Sequence, residues 1–289
     1  MTNNVLMFHS YKGGTGKSLI STNVAGALVN QGKKVAIFDF DFLGPGLFSS
    51  FQSAVASSGK QKIHYLNDLF FKNNSNLEIE DILIDISREV DPPGSKFYVA
   101  LANPEPAEIN NLSRLSRNHH MEAFKKILTV QDYLLNELGI DYLIIDAGPG
   151  FRFDVANAML ISDVIVSVMK PSEPDVAGTK HLLQSISAFI GGRIQGLVIN
   201  REVHQHASPG VYNTSPDDVQ LLKSHQEEMV EDILNYTRDI NVSLFGTIPC
   251  LCDISRGENN VKIITQEYPD HYFSKCIYEI IDNITAKFR

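Results

Sequence analysis

The sequence predicts an α/β protein with a doubly wound, mostly parallel sheet flanked by helices, and three observations predict it. First, the short runs Val5–Phe8, Val35–Phe38, Tyr142–Ile145, Val164–Met169, Leu197–Ile199 and Leu244–Ile248 are almost wholly apolar rather than alternating. Strands of that kind are buried on both faces, as in a parallel sheet. Second, longer stretches with apolar residues at helical spacing lie between them and supply the crossovers. Third, several runs end on polar residues, Asp39, Asp146 and Asn200 among them. In such a sheet ligands sit beyond the carboxyl ends of the strands, so this punctuation marks the edge where a site is expected.

Val5–Phe8 empties directly into the glycine-rich segment Lys12–Ser18, and Leu19–Val29 follows as a helix stopped at Gly32. Val35–Phe38 ends at Asp39, with Asp41 two residues on. Ser53–Leu115 resists the pattern, with helical pieces, a strand expected at Phe97–Leu101, and loops rich in Pro and Asn. Val164–Met169 ends before Pro171, and Leu244–Ile248, interrupted by Gly246, ends at Pro249. Glu202–Asp218 is polar, with two His and two Pro, and reads as a surface loop. The chain reads as one domain over 1–289, with 54–115 as a candidate variable lobe and no internal repeat.

The balance of 43% apolar and 20% charged residues is that of a globular protein. A net charge of −9 disfavours broad attraction to nucleic acid or an anionic membrane, although a local basic patch would escape that argument. The N-terminus lacks the basic and apolar regions of a signal peptide, and no apolar run nears the roughly 20 residues of a membrane span. Three cysteines, Cys250, Cys252 and Cys276, fit a reducing cytoplasm better than a disulfide framework.

Lys12-Gly13-Gly14-Thr15-Gly16-Lys17-Ser18 carries the chemistry. Glycines let successive N–H groups curl toward phosphate oxygens, and the following helix presents its positive end. Lys17 is placed to neutralise the β- and γ-phosphates, and Ser18 to offer a hydroxyl to Mg²⁺. The general phosphate-loop pattern has glycine where this chain has Tyr11, so the match is to a variant. Asp39 and Asp146, at strand ends, are candidates for the Mg²⁺ shell, acting through water. Gly148 and Gly150 would let their loop respond to the γ-phosphate.

KGGTGKS resembles the deviant Walker A motif of the MinD/ParA/Mrp group of ATPases. The resemblance continues through FDFDFLGPGL (38–47), similar to that group's switch I, and YLIIDAGPG (142–150), similar to its Walker B and switch II. VINR (198–201) and GTIPC (246–250) extend it. It implies ATP and Mg²⁺ as ligands, with Gly13, Gly14, Thr15, Gly16, Lys17, Ser18 and Leu19 around the nucleotide. It implies Asp41 as the aspartate that orients the attacking water, and Lys12 as a lysine reaching the nucleotide of a second subunit. Asn200 would read adenine, for which its amide is suited, and Pro249 would pack on the base. The implied protein is a cytoplasmic ATPase switch, at most peripheral to a membrane or nucleoid. It would dimerise with ATP and answer to an unidentified protein partner or activator.

Two other readings stand beside it: an Mrp-like iron–sulfur carrier, and a scaffold that binds ATP without hydrolysing it. Cys250-Leu-Cys252 with a distant Cys276 departs from the carrier's C-x-x-C, and intact Lys17, Asp41 and Asp146 oppose the scaffold. The histidines at 119, 120, 204 and 206 lack a convergent ligand pattern and read as surface residues. In Tyr272–Arg289 the stripe Phe273, Ile277, Ile280, Ile281 and Ile284 has few basic residues beside it, so a packed helix is favoured over a membrane anchor.

Overall fold

The computed structural model describes residues 4–60, 62–72, 77–89, 92, 94–202, 216–250 and 263–288. Its strands are β1 (Asn4–His9), β2 (Lys34–Phe40), β3 (Ile84–Asp85), β4 (Lys96–Ala100), β5 (Tyr142–Ala147), β6 (Val164–Met169), β7 (Ile194–Glu202) and β8 (Ser243–Pro249). They form one eight-stranded sheet in the order β3-β4-β2-β5-β1-β6-β7-β8. Every neighbouring pair is parallel except the short edge pair β3–β4. The helices before the C-terminal region are α1 (Lys17–Asn30), α2 (Leu47–Ser57), α3 (Leu66–Phe71), α4 (Ile79–Ile82), α5 (Pro106–Leu112), α6 (Arg117–Asp132), α7 (Phe153–Ile161), α8 (Glu173–Ile190) and α9 (Pro216–Asp239).

The uniformly apolar strands are explained by hydrophobic clusters on both faces of the sheet. Leu6, Phe8, Ile37 and Ile144 point into a cluster with Ile20 and Val24 of α1 and Phe51 of α2. Their sequence neighbours Val5, Met7, Phe38 and Ile145 point into a second, with Ala123 and Ile127 of α6 and Val155 of α7. Because side chains alternate along a strand, a β1 apolar on both faces must be central.

Helix α1 is buried on nearly all sides, with Ile20, Val24, Ala27 and Leu28 inaccessible, and Gly32 follows it at φ 75. What covers its outer side is the C-terminal helix Tyr272–Thr285, whose Phe273, Ile277, Ile280, Ile281 and Ile284 join the same cluster. Each such side chain gains roughly 2 kcal/mol by leaving water, so this stripe is spent on packing and is not free for lipid. Among the described residues no helix is long and apolar enough to cross a membrane.

The structure revises several boundaries. Strand β2 runs on through Asp39 to Phe40, which pair with Asp146 and Ala147 of β5, and the buried Asp39 side chain accepts N–H groups from Asp41 (3.0 Å) and Leu47 (3.1 Å). Segment 54–115 supplies β3 and β4 of the sheet, and Phe97 of β4 meets Phe51 edge-to-face at 6.0 Å. Of the loop expected at Glu202–Asp218, Glu202 belongs to β7 and Pro216 opens α9, a first-turn position that suits proline. Residues 203–215, with His204 and His206, lie outside the described residues.

Candidate nucleotide site

The loop after β1 is held from beneath. Gly14 and Gly16 adopt φ 77 and 92, conformations that a side chain disfavours, and Lys17 opens α1 immediately after. The Asn200 amide, at the end of β7, donates to the Thr15 carbonyl at 2.7 Å, and a Cβ on Gly16 would collide with that amide. On the outer side nothing stands within 4 Å of where a Cβ of Gly13 or Gly14 would lie. Tyr11 lays its ring against Gly178 of α8, where a Cβ would run into the ring. One residue on, Lys12 Nζ lies 3.3 Å from the buried Asp175 Oδ1 of the same helix.

The acids come together through strand register. Asp39 of β2 pairs directly with Asp146 of β5, and Asp146 with Phe8 of β1, at the root of the loop. Both carboxylates are fully buried. Burial, and after it the neighbouring Asp146, push Asp39 up to about 8, against the pull of its two N–H donors. Lys17 Nζ donates to Asp146 Oδ1 at 2.7 Å and to Ser18 Oγ at 3.3 Å. Asp146 Oδ2 is buried without a hydrogen-bond partner among the described residues. A cationic group thus sits between two hard oxygens with a further acceptor to spare, a donor set that fits Mg²⁺. That ion needs only one or two protein ligands beside phosphate and water.

A second loop, after β5, faces the first. Gly150 donates its N–H to the Ser10 carbonyl (3.0 Å) and accepts at its own carbonyl from His9 Nε2 (2.6 Å). His9 is fully buried at the end of β1, and burial lowers it to about 4, so the ring is neutral and a donor at Nε2. Further on, Arg152 forks onto Asp154, Nε to Oδ1 at 3.2 Å and Nη2 to Oδ2 at 2.8 Å. Its Nη2 also lies 3.8 Å from Asp41 Oδ1. Asp41 is raised by burial, an effect that Lys17 and then Arg152 oppose. The phenylalanines on either side of Arg152, Phe151 and Phe153, are 46% and 54% exposed, large values for side chains that carry no charge.

Lys12, Lys17, Ser18, Asp39, Asp41 and Asp146 therefore gather where the strand ends meet. Leu19 is partly exposed on the first turn of α1, and Pro249 closes β8. Asn200, expected to face adenine, has its amide nitrogen on the Thr15 carbonyl and is buried. Sequence reasoning missed His9 and Arg152; a histidine inside an apolar strand and an arginine beside the GPG turn were the available signals. It also misplaced His120, which is half-buried between Phe71 and Phe153 at ring separations of 5.8 and 5.4 Å. Cys276 is buried in the core, Cys250 is exposed, and Cys252 lies outside the described residues.

Residues 1–67 match the family model described as ParA: NUBPL iron-transfer P-loop NTPase. A ParA family protein of Mycoplasma pneumoniae is 26% identical over 194 residues, 64% of this chain and 65% of that protein, so the chain spans just under two thirds of that relative's length. Among solved structures, a putative plasmid partition protein from Borrelia burgdorferi bound to AMPPNP superposes with a TM-score of 0.68 at 18% identity, covering 99% of this chain and 100% of its own. The septum site-determining protein MinD from Pyrococcus horikoshii, complexed with Mg-ADP, gives 0.65 at 17%, covering 98% and 96%. The sheet order, the loop between β1 and α1 and these likenesses define the P-loop NTPase fold. Its phosphate loop carries Lys12 ahead of the glycines, and within that fold the chain is similar to ParA and MinD proteins.

Proposed function

We propose that the chain binds and hydrolyses ATP as a molecular switch, pairing with a second copy when ATP is bound and acting on a protein partner. The observation that carries this reading is the convergence of Lys17, Ser18, Asp39, Asp41 and Asp146 beneath one glycine loop. Lys17 would exchange Asp146 for phosphate oxygens, and Ser18 and Asp146 would hold Mg²⁺, with Asp39 behind them. Bound there, the ion would supply charge neutralisation across the phosphates. Asp41, beside the loop and less buried than Asp39, would orient the attacking water. Lys12 would leave Asp175 to reach the partner's nucleotide, adding positive charge in trans as arginine fingers do. Asn200 and Pro249 would border the base. The fold relatives solved with Mg-ADP and AMPPNP support the ligand class.

Light scattering with ADP, and with ATP on Asp41→Ala, beside an Asp41→Ala/Lys12→Ala control, tests the reading. A dimer with ATP alone, lost without Lys12, is expected; a monomer throughout overturns it. The iron-transfer description of the matched family model favours a second reading, a metal-cluster carrier. Burial of Cys276 counts against it, because that thiol packs in the core with the C-terminal helix. Anaerobic reconstitution with iron and sulfide, read by absorbance, separates the two readings.

A further inference from the structure

The second loop contains an arginine that the phosphate chemistry above does not use. Arg152 is fixed by two bonds to the largely buried Asp154, and these leave the guanidinium edge pointing toward Asp41 Oδ1 at 3.8 Å. The approach passes directly over Gly148. A Cβ built there would lie 2.5 Å from Arg152 Nη2 and 2.8 Å from Asp41 Oδ1, so the glycine provides the gap through which the two side chains meet. The same Oδ1 accepts the Gly44 N–H at 3.2 Å. One carboxylate oxygen is thus shared by a backbone donor of its own turn and a cation of the facing loop. Within that chain of contacts Asp154 orients, Arg152 bridges and Asp41 is held.

We propose that Arg152 is a positioning residue for Asp41, tying the loop after β5 to the loop after β2 so that the carboxylate is aimed at the reacting water. This rests on the reading of the site as an ATPase and adds to it a cis arginine acting through Asp41. A planar fork already bound by one carboxylate is pre-organised for a second, which a flexible ammonium is not.

The test is steady-state phosphate release by the purified full chain against ATP concentration, for Arg152→Ala, Arg152→Gln, Arg152→Lys and Asp154→Asn. Single-turnover rates of Asp41→Ala and Asp41→Ala/Arg152→Ala complete the set. Arg152→Ala and Arg152→Gln are expected to lower kcat about 10-fold while KM moves less than about 3-fold, the mark of an interaction made for the chemical step. Arg152→Lys should recover part of the loss, and Asp154→Asn should lower kcat in the same sense. In the Asp41→Ala background, removing Arg152 should cost nothing further, since coupled residues are not additive. An unchanged or raised kcat, a change in KM alone, or additive losses in the double variant would overturn the proposal. Full activity in Asp41→Ala would instead overturn the ATPase reading of Asp41, and this proposal with it.

Discussion

Loops follow β1 and β5, neighbouring parallel strands, and both are rich in glycine, yet they are held in different ways. The first runs straight into a buried helix, carries two glycines at positive φ, and is pinned from below by Asn200. The second is joined to the body by the two bonds of Gly150 and by the Arg152 fork, and it presents two phenylalanines to solvent. A loop that must offer a fixed array of N–H groups is built into the core. On the proposed reading, the loop that responds to what occupies that array is the one fastened by fewer contacts. Segments that move are drawn from regions with few buried contacts.

The comparison breaks most decisively at Lys17. Removing it leaves Asp146 buried beside Asp39 without its cation, a loss of about 3 kcal/mol or more for a broken buried pair. Lys17→Ala should therefore show a lower urea midpoint as well as ATP hydrolysis reduced by about 100-fold or more. Loss of activity at unchanged stability would mean that the pair is not buried as described.

His9 sharpens the account of the second loop through pH. Its ring is lowered from 6.5 to about 4, so between those values the unfolded chain binds a proton that the folded chain refuses. Stability attributable to His9 is complete above pH 6.5 and falls as pH drops toward 4, by about 3 kcal/mol over the whole interval. Thermal melts of the wild type and His9→Asn across that range should diverge on the acid side, with the variant flatter. Parallel curves would remove His9 from the argument.

Asn200→Ala should cost about 1–3 kcal/mol in a denaturant melt, because the buried Thr15 carbonyl would lose its donor. At the small end, Phe151→Ser and Phe153→Ser should each cost about 0.5–1.5 kcal/mol, since each half-exposed ring meets one neighbouring ring, Phe189 and His120 respectively. A large loss at either would show the second loop to be built into the core after all.

Legibility in the sequence followed the same division. The first loop announced itself because its backbone demands glycine at fixed places between a strand and a helix, which is local information. Asp39 and Asp146 were legible as polar ends of apolar runs, and parallel register then set them side by side. Asn200 was legible as a site residue, whereas its bond to Thr15 depends on where β7 emerges beneath a loop 185 residues earlier. His9 and Arg152 act on residues brought near only by the pairing of β1 with β5 and by the folding of two loops over Gly148. No local periodicity encodes such contacts. The edge strand β3 was missed for another reason: a two-residue strand is too short to show alternation.

Tyr11 and Gly178 form a single choice written at two places in the chain. An aromatic ring where phosphate loops carry glycine needs a bare spot on α8, and the helix tolerates that glycine at roughly 1 kcal/mol against alanine. Neither residue can be exchanged sensibly alone: a methyl at 178 meets the ring, and a glycine at 11 uncovers a trough. Among descendants of this sequence the two positions should therefore change together, and a chain with a conventional glycine at 11 should carry a side chain at 178.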